Sequence, residues 1–274
     1  MIAIEPRDAP VQGRLELVFA PGPRGTSLAH AHVSAPLKIV RPFPLDNGRA
    51  LVQVLTLGPG LCAGDQYTLD VTVEPGARAV VIMQAAARVL AMTGDAQATQ
   101  SVNLTVHSDG QLEYYPGLTI PFADSGFVQR VHLDAAADAR VGILENWSMG
   151  RSSRGEYLRF RRLSSRTTVA VDGSPVYADA IELEPSRTHA EATGILERYR
   201  YTASGVWLGA SPDLAGVSSV DGTLVAFGHT APGQVYLRAL AMDGYAMGRL
   251  LQSAVDRINA AWNMEAIPLR RFTS

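Results

Sequence analysis

Along most of the chain apolar positions alternate with polar ones instead of recurring every three or four residues, the pattern of strands that bury one face. Leu69, Val71 and Val73 point one way and Thr68, Asp70 and Thr72 the other, until Glu74-Pro75-Gly76 turns the chain. The unit returns as Val102-Leu104-Val106 before Ser108-Asp109-Gly110, as Val128 to Leu133 before a second apolar run at Ala139 to Leu144, and as Val169-Val171 before Asp172-Gly173. Strand, turn and strand thus recur roughly every 30 to 40 residues. This spacing predicts a mainly β fold over residues 13–184, with hairpins stacked into a long two-layer sheet or an irregular β-helix. A large sandwich satisfies the same pattern.

Helical periodicity is confined to the C-terminal part, where Leu250, Leu251, Ala254, Val255, Ile258 and Trp262 mark one buried face and Asp243 is placed to cap the first turn. Gln234 to Ala241 reads as a last strand, so residues 234–262 form a strand-plus-helix element. Residues 185–233, dense in Gly, Pro and Ser, read as irregular loops or a short helix. No linker divides the chain, and residues 1–274 are expected to form a single β-rich domain with a helical tail.

Composition removes several functions. Charged residues are 18% of the 274 positions and the formal net charge is −2, which leaves no global electrostatic case for nucleic acid or an acidic membrane. Lys38 is the only lysine and follows no glycine-rich loop, so a phosphate-binding loop is absent. With Cys62 as the only cysteine, neither an intramolecular disulfide nor a multi-cysteine metal site can be built. The most apolar stretch, Ala77 to Met92, is interrupted by Arg78 and Arg88 and is too short to span a bilayer. The first residues include Glu5, Arg7 and Asp8 and lack a signal-peptide core, so a cytoplasmic protein is expected.

Five segments carry candidate chemistry. Gly58-Pro59-Gly60-Leu61-Cys62-Ala63-Gly64-Asp65 sets glycines and a carboxylate between two strands, where Asp65 can cap backbone amides or ligate a metal. Glu145 ends an apolar strand, and because a buried acid needs a partner, Arg151 or Arg154 is the simple expectation; a carboxylate facing a channel is the alternative. Asn146 to Gly150 misses a nucleophile elbow by the glycine that Asn146 replaces. His30 and His32 alternate on a strand, a weak chelating pair. Tyr114 to Phe122, with two prolines, reads as a stiffened loop for an interface or as packing at a sheet corner.

Taken in order, these segments resemble the urease accessory protein family UreD, called UreH in some bacteria. The likeness rests on Pro36-Leu37 with Arg41-Pro42-Phe43, the Gly58 to Asp65 turn, Val73-Glu74-Pro75-Gly76-Ala77, Tyr115-Pro116 with Ile120-Pro121-Phe122, and Glu145 through Gly150-Arg151 to Gly155-Glu156. The resemblance implies a non-enzymatic β-rich scaffold, without a tightly bound cofactor, that docks on apo-urease and binds UreF and the GTPase UreG. It also implies transient Ni2+ on an internal polar route, at positions that fall here on Asp65, Glu145 and Asp179. It leaves Gly64, Gly150, Arg151, Gly155 and Glu156 to shape turns, and allows a homodimer within the complex. Two departures stand out: Ala63-Gly64 replaces a glycine pair, and Ala87-Arg88-Val89-Leu90-Ala91-Met92 keeps one charge where the family has several, which would suit a divergent homologue with another client. The rival readings are an enzyme on a small polar substrate with Asp65, Glu145 or Glu156 as acid and base, and a sugar- or peptide-binding module using Tyr114-Tyr115.

Overall fold

The computed structural model describes residues 9–212, 214, 217 and 222–269. Its strands are β1 (Gln12–Gly22), β2 (Gly25–Val33), β3 (Leu37–Ile39), β4 (Phe43–Pro44), β5 (Ala50–Thr56), β6 (Gln66–Val73), β7 (Arg78–Met83), β8 (Ala87–Val89) and β9 (Ala98–Val106). They continue with β10 (Gln111–Pro121), β11 (Gly126–Ala135), β12 (Arg140–Ser148), β13 (Arg162–Val171), β14 (Ser174–Leu183), β15 (Tyr201–Leu208), β16 (Thr223–Ala231) and β17 (Gln234–Ala241). One helix, α1, spans Gly244–Ala261.

Two sheets result. The first has the order β14-β13-β11-β9-β6-β1-β2, and the second β16-β17-β15-β12-β10-β7-β5-β3, with β4 and β8 pairing at its side. Through the middle of both, neighbours run parallel: β1 to β6, β6 to β9, β9 to β11 and β11 to β13 in the first sheet, β5 to β7, β7 to β10 and β10 to β12 in the second. Glu74-Pro75-Gly76 and Ser108-Asp109-Gly110 are therefore corners that carry the chain from one sheet to the other, and not the tips of hairpins. Asp172-Gly173 does close a hairpin, between β13 and β14. The fold is mainly β and solenoid-like, with a C-terminal helix.

The two-layer alternation expected from the sequence fills the space between the sheets. Leu69, Val71 and Val73 meet Val102, Leu104 and Val106 from the neighbouring coil, and Val81, Leu112, Ile143 and Trp147 face them from the other sheet. A second core lies on the outer face of the second sheet, where Met247, Leu250, Leu251, Ala254, Val255 and Ile258 of α1 pack on Leu51, Val80, Ile82, Tyr115 and Trp207. Asp243 caps the helix, its side chain accepting from the Ala246 N–H at 2.8 Å.

The helix is also pinned by a buried ionic network that periodicity gave no sign of. Arg49 donates to Glu113 at 2.8 Å and to Asn259 of α1 at 3.1 Å, and its guanidinium also reaches Asp46 and, at 2.6 Å, the Glu265 carbonyl. Glu113 further accepts from Asn259 at 3.1 Å and Tyr115 at 3.2 Å. Burial pushes the Glu113 carboxyl up, against the pull of Arg49.

Two expectations are corrected. The looped region 185–233 contains β15 and β16. Gly205 in β15 reads as a breaker, but the Trp207 ring takes the space its side chain would need: a Cβ there would lie 2.5 Å from the ring. Tyr114 to Pro121 belongs to β10 and is not a loop. Tyr114 points into the inter-sheet core and Tyr115 under α1, both 1% exposed. Pro116, which cannot donate to a ladder, falls where the pairing with β12 shifts register between Tyr114 and Gly117.

Replacing Ile258 with Asp places an unpaired charge in the helix–sheet core, and a loss of at least about 3 kcal/mol by denaturant unfolding is expected. Arg49→Met should cost a similar amount, roughly 3–5 kcal/mol, because it leaves Glu113 buried without its cation.

Candidate functional site

In-register parallel coils put equivalent inward positions side by side, and at one level of the first sheet those positions are polar. Tyr67 on β6 pairs with Gln100 on β9, Gln100 with Gln129 on β11, and Gln129 with Ser165 on β13. Three strand spacings make this row about 14 Å long. Leu69, Val102 and Val131 lie one pleat further along, so the row is a polar stripe inside an apolar core.

The stripe is hydrogen-bonded and ends on Glu145, which enters from β12 on the opposite sheet. Gln100 donates to Gln129 at 3.2 Å, Gln129 donates to Glu145 and to Ser165 at 3.4 Å, and the Ser165 and Thr167 hydroxyls donate to the same carboxylate. Glu145 is 3% exposed. Burial, reinforced by the charge of Asp179 and opposed by the Thr167, Ser165 and Gln129 hydrogen bonds, raises its carboxyl to about 7. The Tyr114 hydroxyl is buried without a hydrogen-bond partner, and it too is pushed up, first by burial and then by the nearby Glu145 charge.

Each end of the stripe meets a cavity. At the Glu145 end a space of about 10 Å3, room for about one water, is lined by Glu145, Ser165, Thr167, Asp179 and Arg238. Asp179 sits on β14 opposite Thr167 and forms an ion pair with Arg238 of β17. At the other end Tyr67 and Gln100 line a cavity of about 60 Å3 together with Gly60, Leu61 and Arg88.

Of the three acids singled out by sequence, Glu145 and Asp179 are brought together, and Asp65 is not among them. Asp65 lies at the far end, 1% exposed, accepting from the Val11 N–H at 2.8 Å and the Cys62 N–H at 2.9 Å, and so caps the turn whose Gly60 and Leu61 line the larger cavity. Gly58, Gly60 and Gly64 carry the positive φ angles of that turn, +123°, +143° and +77°, and Ala63 is not in the left-handed region, which explains why alanine is accepted there. Glu145 does not pair with Arg151 or Arg154 as expected. Arg151 instead donates to Glu156 at 2.7 Å and lies 4.0 Å over the Phe122 ring, while Glu156 also accepts from the Ala123 N–H at 3.2 Å. Gly150, at φ +113°, allows the close approach of the Glu156 carbonyl, which a Cβ would meet at 1.8 Å; Gly155 ends the turn at φ +71°. Arg88 lies on β8, which pairs with β10, and its backbone carbonyl accepts from Leu61 at 2.8 Å. His30 and His32 are exposed on β2.

The profile of the UreD urease accessory protein family matches residues 11–274. The chain belongs to the UreD family. It is 37% identical to urease accessory protein UreD 1 of Synechococcus sp. (strain JA-3-3Ab), over 95% of this chain and 96% of that one. It is 35% identical to urease accessory protein UreD of Deinococcus radiodurans over 90% and 89%, and 28% identical to that of Haloarcula marismortui over 94% and 87%. Among the described residues of this UreD-family chain, no helix is long and apolar enough to cross a membrane. The residues that sequence reasoning missed are Gln100, Gln129, Ser165, Thr167 and Arg238. Each of the first four is a polar residue at an inward position of an otherwise apolar alternation, a signal visible strand by strand.

Two variants separate the ends of the stripe. The folded Glu145 keeps a proton up to about pH 7, whereas an unfolded carboxyl releases it near 4.5; its contribution is full below 4.5 and lost as pH rises to 7. Glu145→Gln should therefore flatten the pH dependence of stability over that window and raise stability at pH 8, by up to about 3 kcal/mol, as read by denaturant titration at several pH values. Asp65→Ala should destabilise at neutral pH by about 1–3 kcal/mol, since two backbone amides lose their acceptor.

Proposed function

We propose that this chain is a non-enzymatic scaffold of urease maturation, which docks on apo-urease with UreF and UreG and passes nickel along its internal polar stripe. Family membership supports the maturation role. The passage rests on one observation: a hydrogen-bonded row from Gln100 through Gln129 to Glu145, inside an apolar core, with a cavity at each end. Nickel is cargo here, held transiently.

The donor set fits such cargo. Carboxylates, hydroxyls and amide oxygens bind a borderline divalent ion weakly enough to let it move on, whereas thiolates and clustered imidazoles would retain it. The Tyr114 hydroxyl, buried without a hydrogen-bond partner, has an oxygen to offer a passing ion or its water. Asp65 shapes the turn at the mouth of the route, and Glu145 and Asp179 supply its charge at the other end. The raised Glu145 carboxyl beside Asp179 also meets half the requirement for an acid–base pair. The space before it holds about one water, however, and this favours an ion over an organic substrate.

The test is urease activation in cells that make the urease subunits and the other accessory proteins with nickel supplied. Activity is expected only when this chain is present, with co-purification of apo-urease. Glu145→Ala or Asp179→Asn should lower activation by about tenfold or more while leaving that co-purification intact. Full activation without the chain would overturn the maturation role, and full activation with both variants would overturn the passage.

A further inference from the structure

The outer wall of the small chamber is a cation. Arg238 projects from β17 of the second sheet and its guanidinium is bound to Asp179 on β14, the edge strand of the first. The pair links the two sheets beside the space that Glu145 faces. On the far side of Arg238 lies a groove of about 490 Å3 between β14 and the β16–β17 hairpin, lined by Ile181, Leu183, Ile195, Leu224 and Leu240. Arg238 lines both spaces, as do Ile181 and Thr202, and it is the charged member of the partition between them. Its side chain is 44% exposed, against 14% for Asp179.

We propose that Arg238 is the gate of this chamber: seated on Asp179 it fills the cation position that the carboxylate offers, and swung into the groove it opens the chamber to a divalent ion. This rests on the reading of Glu145 and Asp179 as a nickel route. Three features support it. The seated guanidinium places a positive charge on Asp179, where an arriving cation would have to bind. The groove gives the side chain somewhere to go without moving a strand. The two sheets are also held together beside the gate by other means, because Tyr177 of β14 and Tyr236 of β17 pack with ring centroids 6.1 Å apart. Loss of the ion pair therefore leaves the walls in place, and Arg238 acts as a positioning and selecting residue.

The experiment measures Ni2+ binding to the purified full chain by calorimetry. It is done in a His30→Ala/His32→Ala background, because that exposed pair can chelate nickel on its own. Arg238→Gln should bind Ni2+ at least about tenfold more tightly than the background protein, and adding Asp179→Asn should abolish the gain. Arg238→Met, which keeps the stem and removes the charge, should repeat the result if the glutamine variant folds poorly by thermal melting. Equal Ni2+ affinity with and without Arg238, lowered in both cases by Asp179→Asn, would overturn the gate and leave the passage standing. Absence of Asp179-dependent binding in every variant would overturn both.

Discussion

The constraint on which the structure depends is the in-register stacking of parallel coils. Once β6, β9, β11 and β13 pair without slippage, each inward position belongs to a row that crosses the sheet, and the chemistry of one residue is repeated in its neighbours. Most rows are apolar and make the core. One row, Tyr67-Gln100-Gln129-Ser165, is polar, and burying it is tolerable because Gln100, Gln129 and Ser165 satisfy one another and Glu145. The candidate route is thus a property of the register and needs no loop to build it. A one-residue slip of any coil would turn the amides outward and break the row.

The second sheet faces a different demand, since its outer side must be covered by a helix from the far end of the sequence. Apolar contact supplies the attraction but little angular definition. The Arg49, Glu113 and Asn259 network supplies that definition: the guanidinium and carboxylate pair with each other, and the Asn259 amide of α1 can accept from one and donate to the other in one seating of the helix. β10 joins the two halves of the molecule. Its Tyr114 looks toward Glu145, while Glu113 and Tyr115 look toward α1, so a change in how the helix sits acts on the strand that also walls the stripe.

Much of this was legible in the sequence, for definite reasons. Alternation in Leu69-Val71-Val73 and its successors announced strands with one buried face, and the i, i+4 spacing from Leu250 to Trp262 with Asp243 before it announced the capped helix. What alternation cannot say is which strand pairs with which, so corners such as Glu74-Pro75-Gly76 looked like hairpin turns. β15 was hidden because Gly205 and its small polar neighbours have loop composition, while the need for glycine comes from the Trp207 ring lying back over it and from Leu144 on the paired strand. Tyr114 to Pro121 looked like a loop because its prolines were weighed as breakers, where a bulge absorbs one of them. In the site, Glu145 stood out as an acid at the end of an apolar strand, and Asp179 was found only by likeness to a family. Gln100 and Gln129 were visible only as odd polar residues until register set them in line. Arg238 and Asp179 lie 59 residues apart on different sheets, and no local pattern relates them.

The chamber at the end of the stripe sets two opposing requirements on one carboxylate. On the proposed route Glu145 is buried, and burial favours its protonated form, which has little to offer a cation. Asp179 moves the balance further the same way, because a second negative charge nearby makes ionisation of Glu145 costlier. Arg238 relieves that repulsion by neutralising Asp179, yet in doing so it takes the place a metal would occupy. A divalent ion resolves the conflict in a way that neither a proton nor a guanidinium does, since two positive charges can balance both carboxylates at once. If the proposed route and gate hold, an ion entering the chamber would favour release of the proton from Glu145 and of Arg238 from Asp179 together. Each release would oppose tight retention of the ion, so the same competition that admits it would also keep its hold weak, as the proposed transit demands.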